Sequence, residues 1–214
     1  MVIEGIGMLE NKEKTKLKGV FLPKTQQGWD KFNVLVDSAE RLFAKSGFSD
    51  VSISDICHEA NTAVGTFYIY FETKTDVYRY LVESYGKRIK RRIAKDIADC
   101  KTREERERTG IKTFIKLAVE DPTFYSIIWG SLSVDKQLFK DYYVSFAESY
   151  KSQLLIDQNE LKNSDYTTLS YALMGISSFL GLRAIFENMT EEEIDRMVDE
   201  TFVPMLHEGI LKTF

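Results

Sequence analysis

Proline is scarce in this chain, with three among 214 residues, and no long stretch alternates Val, Ile and Thr with polar residues. An extensive sheet is therefore excluded, and long helices meet few interruptions. Cysteine is scarcer still. Cys57 and Cys100 have neither metal-binding spacing nor the makings of a disulfide framework, which fits a reducing compartment. His58 reads as a helix-surface residue, because no second ligand lies at suitable spacing. No glycine-rich phosphate loop, HExxH, paired His/Cys cluster or nucleophile elbow occurs. No catalytic residue, metal or cofactor is expected, and the chain does not read as an enzyme. Residues 1–19 carry charge without a continuous apolar core, so no signal peptide is expected there. The longest apolar stretch, residues 171–186, contains Gly175, Ser177, Ser178, Gly181 and Arg183 and reads as too short to span a bilayer. A cytoplasmic protein with no membrane partner is expected.

What is present is a globular composition, 43% hydrophobic and 29% charged, with enough apolar residues for a real core. The net charge of −4 hides an asymmetry. Residues 1–100 hold 16 Lys and Arg against 14 Asp and Glu, and residues 101–214 hold 13 against 19. The less acidic front is compatible with contact to a polyanion. Residues 1–27 form a polar extension in which Lys12, Lys14, Lys16 and Lys18 alternate with other residues. It reads either as a loosely packed tail or as a basic arm beside a nucleic-acid site.

A first helix is predicted from about Trp29 to Lys45, with Phe32, Leu35, Val36, Ala39, Leu42 and Phe43 on one stripe and Gly47 as its stop. Residues 52–78 then read as two short helices around a tight turn, leading into a third. Ser52 and Asp55 have capping-box spacing. Ile53, Ile56 and Ala60 share a face, and Asn61 tolerates the left-handed backbone of a sharp turn. A second short helix follows from about Ala63 to Ile69. This is helix-turn-helix geometry, in which the second helix enters a DNA major groove.

Asp55, Ile56, Ala60, Gly65, Thr66, Phe67, Tyr68, Tyr70, Phe71 and Lys74, preceded by Ala39, Leu42, Phe43 and Gly47, sit at the offsets of a known family. The segment resembles the TetR family of transcriptional regulators. It departs from that pattern at Asn61, where a glycine is usual, at Thr62-Ala63, and at the apolar Ile69. The resemblance implies an all-α fold: a three-helix DNA-binding domain over residues 28–73 and a larger helical effector-binding and dimerisation domain over 74–214. It also implies DNA contacts from Ser52, Ser54, Ala63, Val64, Gly65, Thr66, Tyr68, Ile69, Tyr70 and Lys74. Ala63 and Val64 would meet thymine methyls, and Thr66, Tyr68 and Lys74 would reach phosphate. Phe67 and Phe71 read as core, and Tyr70 as either core or contact.

A long helix is expected from Lys74 to about Cys100, with Val77, Leu81, Tyr85, Ile89, Ile93 and Ile97 at steps of four. Its basic run KRIKRRIAK begins 13 residues beyond Lys74, about 20 Å along the axis. It is read as a solvated face, or as pairing with Glu104, Glu105 and Glu107. Further helices are expected over about 103–120, 122–131, 135–158, 165–187 and 190–212, the last bent by Pro204. Aromatic bulk here permits a cavity for a small, largely apolar molecule, lined by Phe114, Phe124, Ile128, Trp129, Phe139, Tyr142, Tyr143, Phe146 and Phe179. The resemblance further implies a homodimer through the last two helices, with the stripes Leu169, Leu173, Ile176, Leu180, Ala184 and Ile194, Val198, Phe202, Met205 at the interface.

The expectation is thus a ligand-responsive regulator of transcription, a repressor that binds an inverted repeat of double-stranded DNA as a homodimer. A DNA-bound interaction protein without a small-molecule ligand, or an effector-binding module with little specific DNA affinity, is the alternative.

Overall fold

The computed structural model describes residues 17–162 and 165–209, and among these every repeating element is helical. The first four helices are α1 (Gln26–Ser46), α2 (Ile53–Glu59), α3 (Val64–Tyr70) and α4 (Lys74–Asp96). The rest are α5 (Arg103–Glu120), α6 (Thr123–Val134), α7 (Lys136–Ile156), α8 (Tyr166–Phe186), α9 (Glu191–Met197) and α10 (Val203–Gly209). Lys12, Lys14 and Lys16 of the expected arm, and the end of the helix expected over 190–212, lie outside the described residues.

Two compact units emerge. One comprises the chain up to Tyr85 together with Tyr125–Phe139, and the other comprises Gly86–Phe124 and the chain from Lys140 onward. α4 therefore contributes its first half to one unit and its second half to the other.

The first unit is built on aromatic rings. Phe32 is fully buried on α1 and stacks on Phe71 at 5.1 Å. Edge-on contacts to Trp29, Tyr70 and Tyr80 at 5.4, 5.6 and 4.9 Å surround it. Each such pair adds a directional preference to the area it buries. Leu35, Val36, Ala39, Ile56, Phe67, Val77 and Leu81 complete this core. From Tyr125 onward helix α6 belongs to the same unit: the Tyr78 hydroxyl donates to the Ile127 carbonyl at 2.7 Å. Burial pushes that phenol up to about 12, so it remains a donor. A Cβ at Gly130 would stand 2.6 Å from the Tyr78 oxygen, which is why the helix carries glycine at this crossing.

In the second unit α8 packs along α5. Thr102 and Glu105 form a capping box at the start of α5. Behind it the buried Arg103 guanidinium meets Glu107 at 3.0 Å, and Arg106 meets Asp157 at 3.2 Å. Tyr150 donates to the other Glu107 oxygen. Burial raises the Glu107 carboxyl above its usual range, against the pull of Arg103.

Four expectations change. The KRIKRRIAK run is solvated at Arg91, Arg92 and Lys95, but its pairs are not Glu104, Glu105 or Glu107. Arg88 pairs with Asp121, Lys90 bonds Ser145 at 3.0 Å and Arg92 pairs with Asp96 at 3.1 Å. The three glutamates are held by α5 and its flanks, through Arg108, the Thr102 cap and Arg103. Secondly, the last helix is not one continuous α-helix: a π-helical turn runs over Val198–Phe202 just before Pro204, where the Val203 N–H reaches back to the Val198 carbonyl. Thirdly, helical structure starts five residues before the apolar run, so α8 is long and apolar enough, by length and composition, to cross a membrane. A soluble core helix passes that same test, and one face of α8 is spent on α5.

The fourth correction concerns the dimer stripes. Leu169, Leu173, Ala184, Ile194, Val198 and Phe202 are buried within their own protomer, so they cannot supply a surface for a partner. Ile176 and Leu180 are half-buried, and only Met205 is exposed. The large exposed apolar residues of α8 are instead Tyr171, Phe179 and Phe186, with Gly175 between them. At about 100° per residue these four fall within an arc of about 80°, opposite the buried one. A hydrophobic run covering a helix all round hides two stripes, and periodicity alone cannot say which is spent inside.

Candidate nucleic-acid interface

The two short helices are set by local chemistry before any packing. The Ser52 hydroxyl accepts the Asp55 N–H at 3.1 Å, and the Asp55 carboxylate accepts the Ser52 N–H at 2.8 Å. This reciprocal cap starts α2. The Ser52 hydroxyl also donates to Asp55 and, with the Ser52 amide, holds the Asp55 carboxyl below its usual value. The turn follows at Asn61, whose φ of 49° is left-handed, the conformation its short amide side chain tolerates. α3 then begins at Ala63 without a side-chain cap. Its N-terminus thus has no hydroxyl lock.

α3 divides cleanly by face. Phe67 and Tyr70 point into the aromatic core of the unit. On the opposite face Tyr68 is 53% exposed and Ile69 is 61% exposed, joined by Ala63, Val64 and Gly65. A Cβ added at Gly65 would meet nothing within 4 Å, so the surface there is open. Thr66 is half-buried, and Ser52 and Ser54 are exposed at the start of α2. The outward face of α3 is therefore apolar apart from the Tyr68 hydroxyl and the backbone.

Two residues of the expected contact set sit elsewhere. Tyr70 is a core residue, its ring packed edge-on against Phe32, and it would have to leave that core to touch a groove. Lys74 has a first duty inside the protein. Its ammonium donates to the Phe48 and Val51 carbonyls, each at 2.6 Å, and lies 4.1 Å from the centre of the Phe48 ring. An ammonium has three donors and no acceptor, so two of the three are committed to the loop before α2. This clamp could not be read from spacing, because its acceptors are backbone carbonyls 23 and 26 positions away.

The residues expected around an effector fall in both units. Ile128, Trp129 and Phe139 belong to the first, where Ile128 is buried and Trp129 stands edge-on to Tyr125. Phe114, Phe124, Tyr142, Tyr143 and Phe146 belong to the second. There Phe114 and Phe124 meet edge-on at 5.8 Å, and Tyr142 contacts both Tyr143 and Phe146. Gly86 gives the Tyr142 ring its place, since a Cβ there would stand 3.2 Å from it. Phe179, expected in the lining, is 69% exposed on α8. The second unit also carries a groove of about 530 Å³ bordered by Arg92, Arg108, Lys112, Lys116, Glu191 and Asp195. Its lining residues are mostly charged, and its cations are matched by carboxylates: Lys116 meets Asp195 at 3.1 Å, and Lys112 meets Asp199 at 2.8 Å.

Comparisons with known proteins converge on one family. Residues 35–81 match the sequence profile described as "Bacterial regulatory proteins, tetR family". A 63-residue stretch is 35% identical to the uncharacterised HTH-type transcriptional regulator YvdT of Bacillus subtilis, covering 29% of this chain and 31% of that protein. The chain thus spans less than a third of that relative's length. Solved structures extend the likeness to the whole fold. The fatty acid degradation regulator FadR of Bacillus halodurans superposes with a TM-score of 0.71 at 17% identity, over 88% of this chain and 97% of that one. A TetR family transcription regulator from Marinobacter aquaeolei does so with a TM-score of 0.71 at 16% identity, over 88% and 99%. Residues 35–81 thus carry a helix-turn-helix segment similar to that of the TetR family, within an all-helical fold shared with solved regulators of that family.

Proposed function

We propose that the chain is a DNA-binding transcriptional regulator and not an enzyme, acting as a homodimeric repressor that a small, largely apolar effector releases from an inverted-repeat operator. The observation that carries this reading is the two-faced α3, seven residues long, with its inner side locked by Phe67 and Tyr70 and its outer side presenting Ala63, Val64, Gly65, Tyr68 and Ile69. That outer side suits apolar contact with thymine methyls, with the Tyr68 hydroxyl directed at phosphate. Ser52, Ser54 and Thr66 supply further hydroxyls at its edge. Lys74 reaches phosphate only with the donor its two carbonyls leave over, so its main contribution is to hold the loop before α2.

A second copy is assigned to the exposed stripe Tyr171, Gly175, Phe179 and Phe186 of α8, together with Met205. The stripe is apolar, runs over four turns and has a glycine that permits close backbone approach. The effector is assigned to the aromatic cluster of the second unit, Phe114, Phe124, Tyr142, Tyr143 and Phe146, whose rings suit an apolar guest. Cytoplasmic location without membrane attachment goes with this function.

Selection of duplexes from a random library by the full chain tests the reading. An enriched inverted repeat is expected, with half-sites about 34–36 Å apart, or a multiple of that spacing. No enrichment would remove the regulator assignment. Native mass spectrometry of the purified protein tests the effector: a co-purifying apolar molecule supports it, and its displacement by an added acyl compound would identify the class.

A further inference from the structure

Residues 17–22 run as a strap across the point where α3 ends and α4 begins. The Phe21 N–H donates to the Tyr70 carbonyl at 2.8 Å, and the Glu72 N–H donates to the Gly19 carbonyl at 3.0 Å. Val20 and Phe71 form an isolated antiparallel bridge between these bonds. Arg79 adds a bond from its guanidinium to the Lys18 carbonyl at 3.3 Å. The strap turns at Gly19, where the Val20 N–H closes on the Leu17 carbonyl at 3.2 Å.

Gly19 is required twice over. Its φ of +77° is left-handed, and a Cβ there would stand 2.5 Å from the carboxyl carbon of Asp76. Asp76 cannot easily give way. It is buried, and its carboxylate accepts the Thr73 N–H at 2.9 Å, the Thr73 hydroxyl at 2.6 Å and the Arg79 guanidinium at 2.7 Å. Every group in this arrangement belongs to the first unit.

We propose that the strap is a positioning element for the recognition helix, with Gly19 and Asp76 as its anchoring pair. The proposal rests on the reading of α3 as the helix that meets DNA. α3 spans seven residues, about 10 Å, and has no side-chain cap at its start. Its aim is set by the rings beneath it and by whatever fixes its exit. The strap fixes the exit, by bonding the residues on both sides of Phe71. Contacts to base edges depend on that aim, whereas attraction to phosphate is sequence-independent and tolerant of small misplacement. Loss of the strap therefore lowers discrimination between sequences more than it lowers overall attraction to DNA.

Gly19→Val tests this, with a duplex enriched by the full parent chain from a random library as one probe and an unrelated duplex as the other. The affinity ratio between the two probes should fall by about tenfold, the loss expected from one or two weakened base contacts. Affinity for the unrelated duplex, its salt dependence and the helical circular dichroism should stay as in the parent. Phe21→Pro removes the Phe21–Tyr70 bond without a clash at Gly19 and keeps the lysines before it, and it decides the matter if Gly19→Val does not fold. An unchanged ratio, or an equal loss on both duplexes, would overturn the proposal. A parent chain that enriches no duplex would overturn the DNA reading itself, and the strap assignment with it.

Discussion

α3 and α8 both turn apolar side chains toward solvent, yet they are opposite kinds of helix. α3 has seven residues, too few to be stable alone. It exists because Phe67, Tyr70 and Phe71 anchor it to the Phe32 cluster and because the Ser52–Asp55 cap starts its neighbour α2. α8 has 21 residues and is apolar on nearly every side, with one face consumed by α5. Exposure on α3 comes from side chains chosen one at a time around a fixed scaffold. On α8 it is a continuous stripe. The first pattern suits a groove read base by base, and the second suits another helix surface of the same kind.

The sharpest way to break this contrast is to hollow out the inner side of each helix. Phe67→Ala should cost about 3–5 kcal/mol and Leu173→Ala about 2–5 kcal/mol, since both side chains are essentially fully buried. Denaturant unfolding measures both. A cost under 1 kcal/mol at either site would mean that its inner face is not the packed one.

A smaller loss is expected when the loop clamp is removed. Lys74→Ala strips the Phe48 and Val51 carbonyls of a charged donor, a change of about 1.5–3 kcal/mol by the usual worth of such bonds. Thermal unfolding should register it. A Lys74→Ala chain that unfolds like the parent while losing affinity for every duplex alike would restore Lys74 as chiefly a phosphate contact.

The caps come next. Ser52→Ala should destabilise by about 1 kcal/mol, the typical worth of a helix N-cap. Asp55 adds a pH signature. Its folded carboxyl titrates below the ordinary 3.8, through its bonds to Ser52. Its contribution is therefore fully present above that value and is lost as pH falls through the lower, folded one. Acid titration of parent and variant should converge in that window, and parallel curves throughout would rule the cap out as the cause.

The smallest effect has the opposite sign. Gly175→Ala, with open space where its Cβ would go, should stabilise the isolated protomer by about 0.5–1 kcal/mol through helix propensity. If a second copy approaches there, the same change weakens self-association. Sedimentation across a concentration series separates the two effects.

Legibility in the sequence followed the same division. Residues 52–78 carried fixed offsets tied to backbone requirements, and the Ser52 cap, the Asn61 turn and the break at Thr73–Lys74 all stand where the spacing predicts them. Helices α5 to α8 were equally plain, each lying within a few residues of its expected range. The use of each face was not legible. Tyr70 and Tyr68 differ by two positions and share chemistry, yet one is core and the other is surface. Leu173 and Phe179 both suit a dimer stripe, and only the position of α5 decides between them. The Lys74 clamp and the Gly19–Asp76 contact depend on backbone atoms distant in sequence, which leave no pattern.

The most direct test compares Ile69→Glu with Phe179→Glu for binding to a duplex enriched by the parent, alongside the mass of each chain in solution. Ile69 is on the outward face of α3 and Phe179 on that of α8, so both variants should keep the parent's helical content. Ile69→Glu should remain a dimer and lose the enriched duplex, whereas Phe179→Glu should run as a monomer and keep only weak attraction to DNA. An Ile69→Glu chain that binds like the parent, or a Phe179→Glu chain that remains a dimer, would contradict the assignment of these two faces.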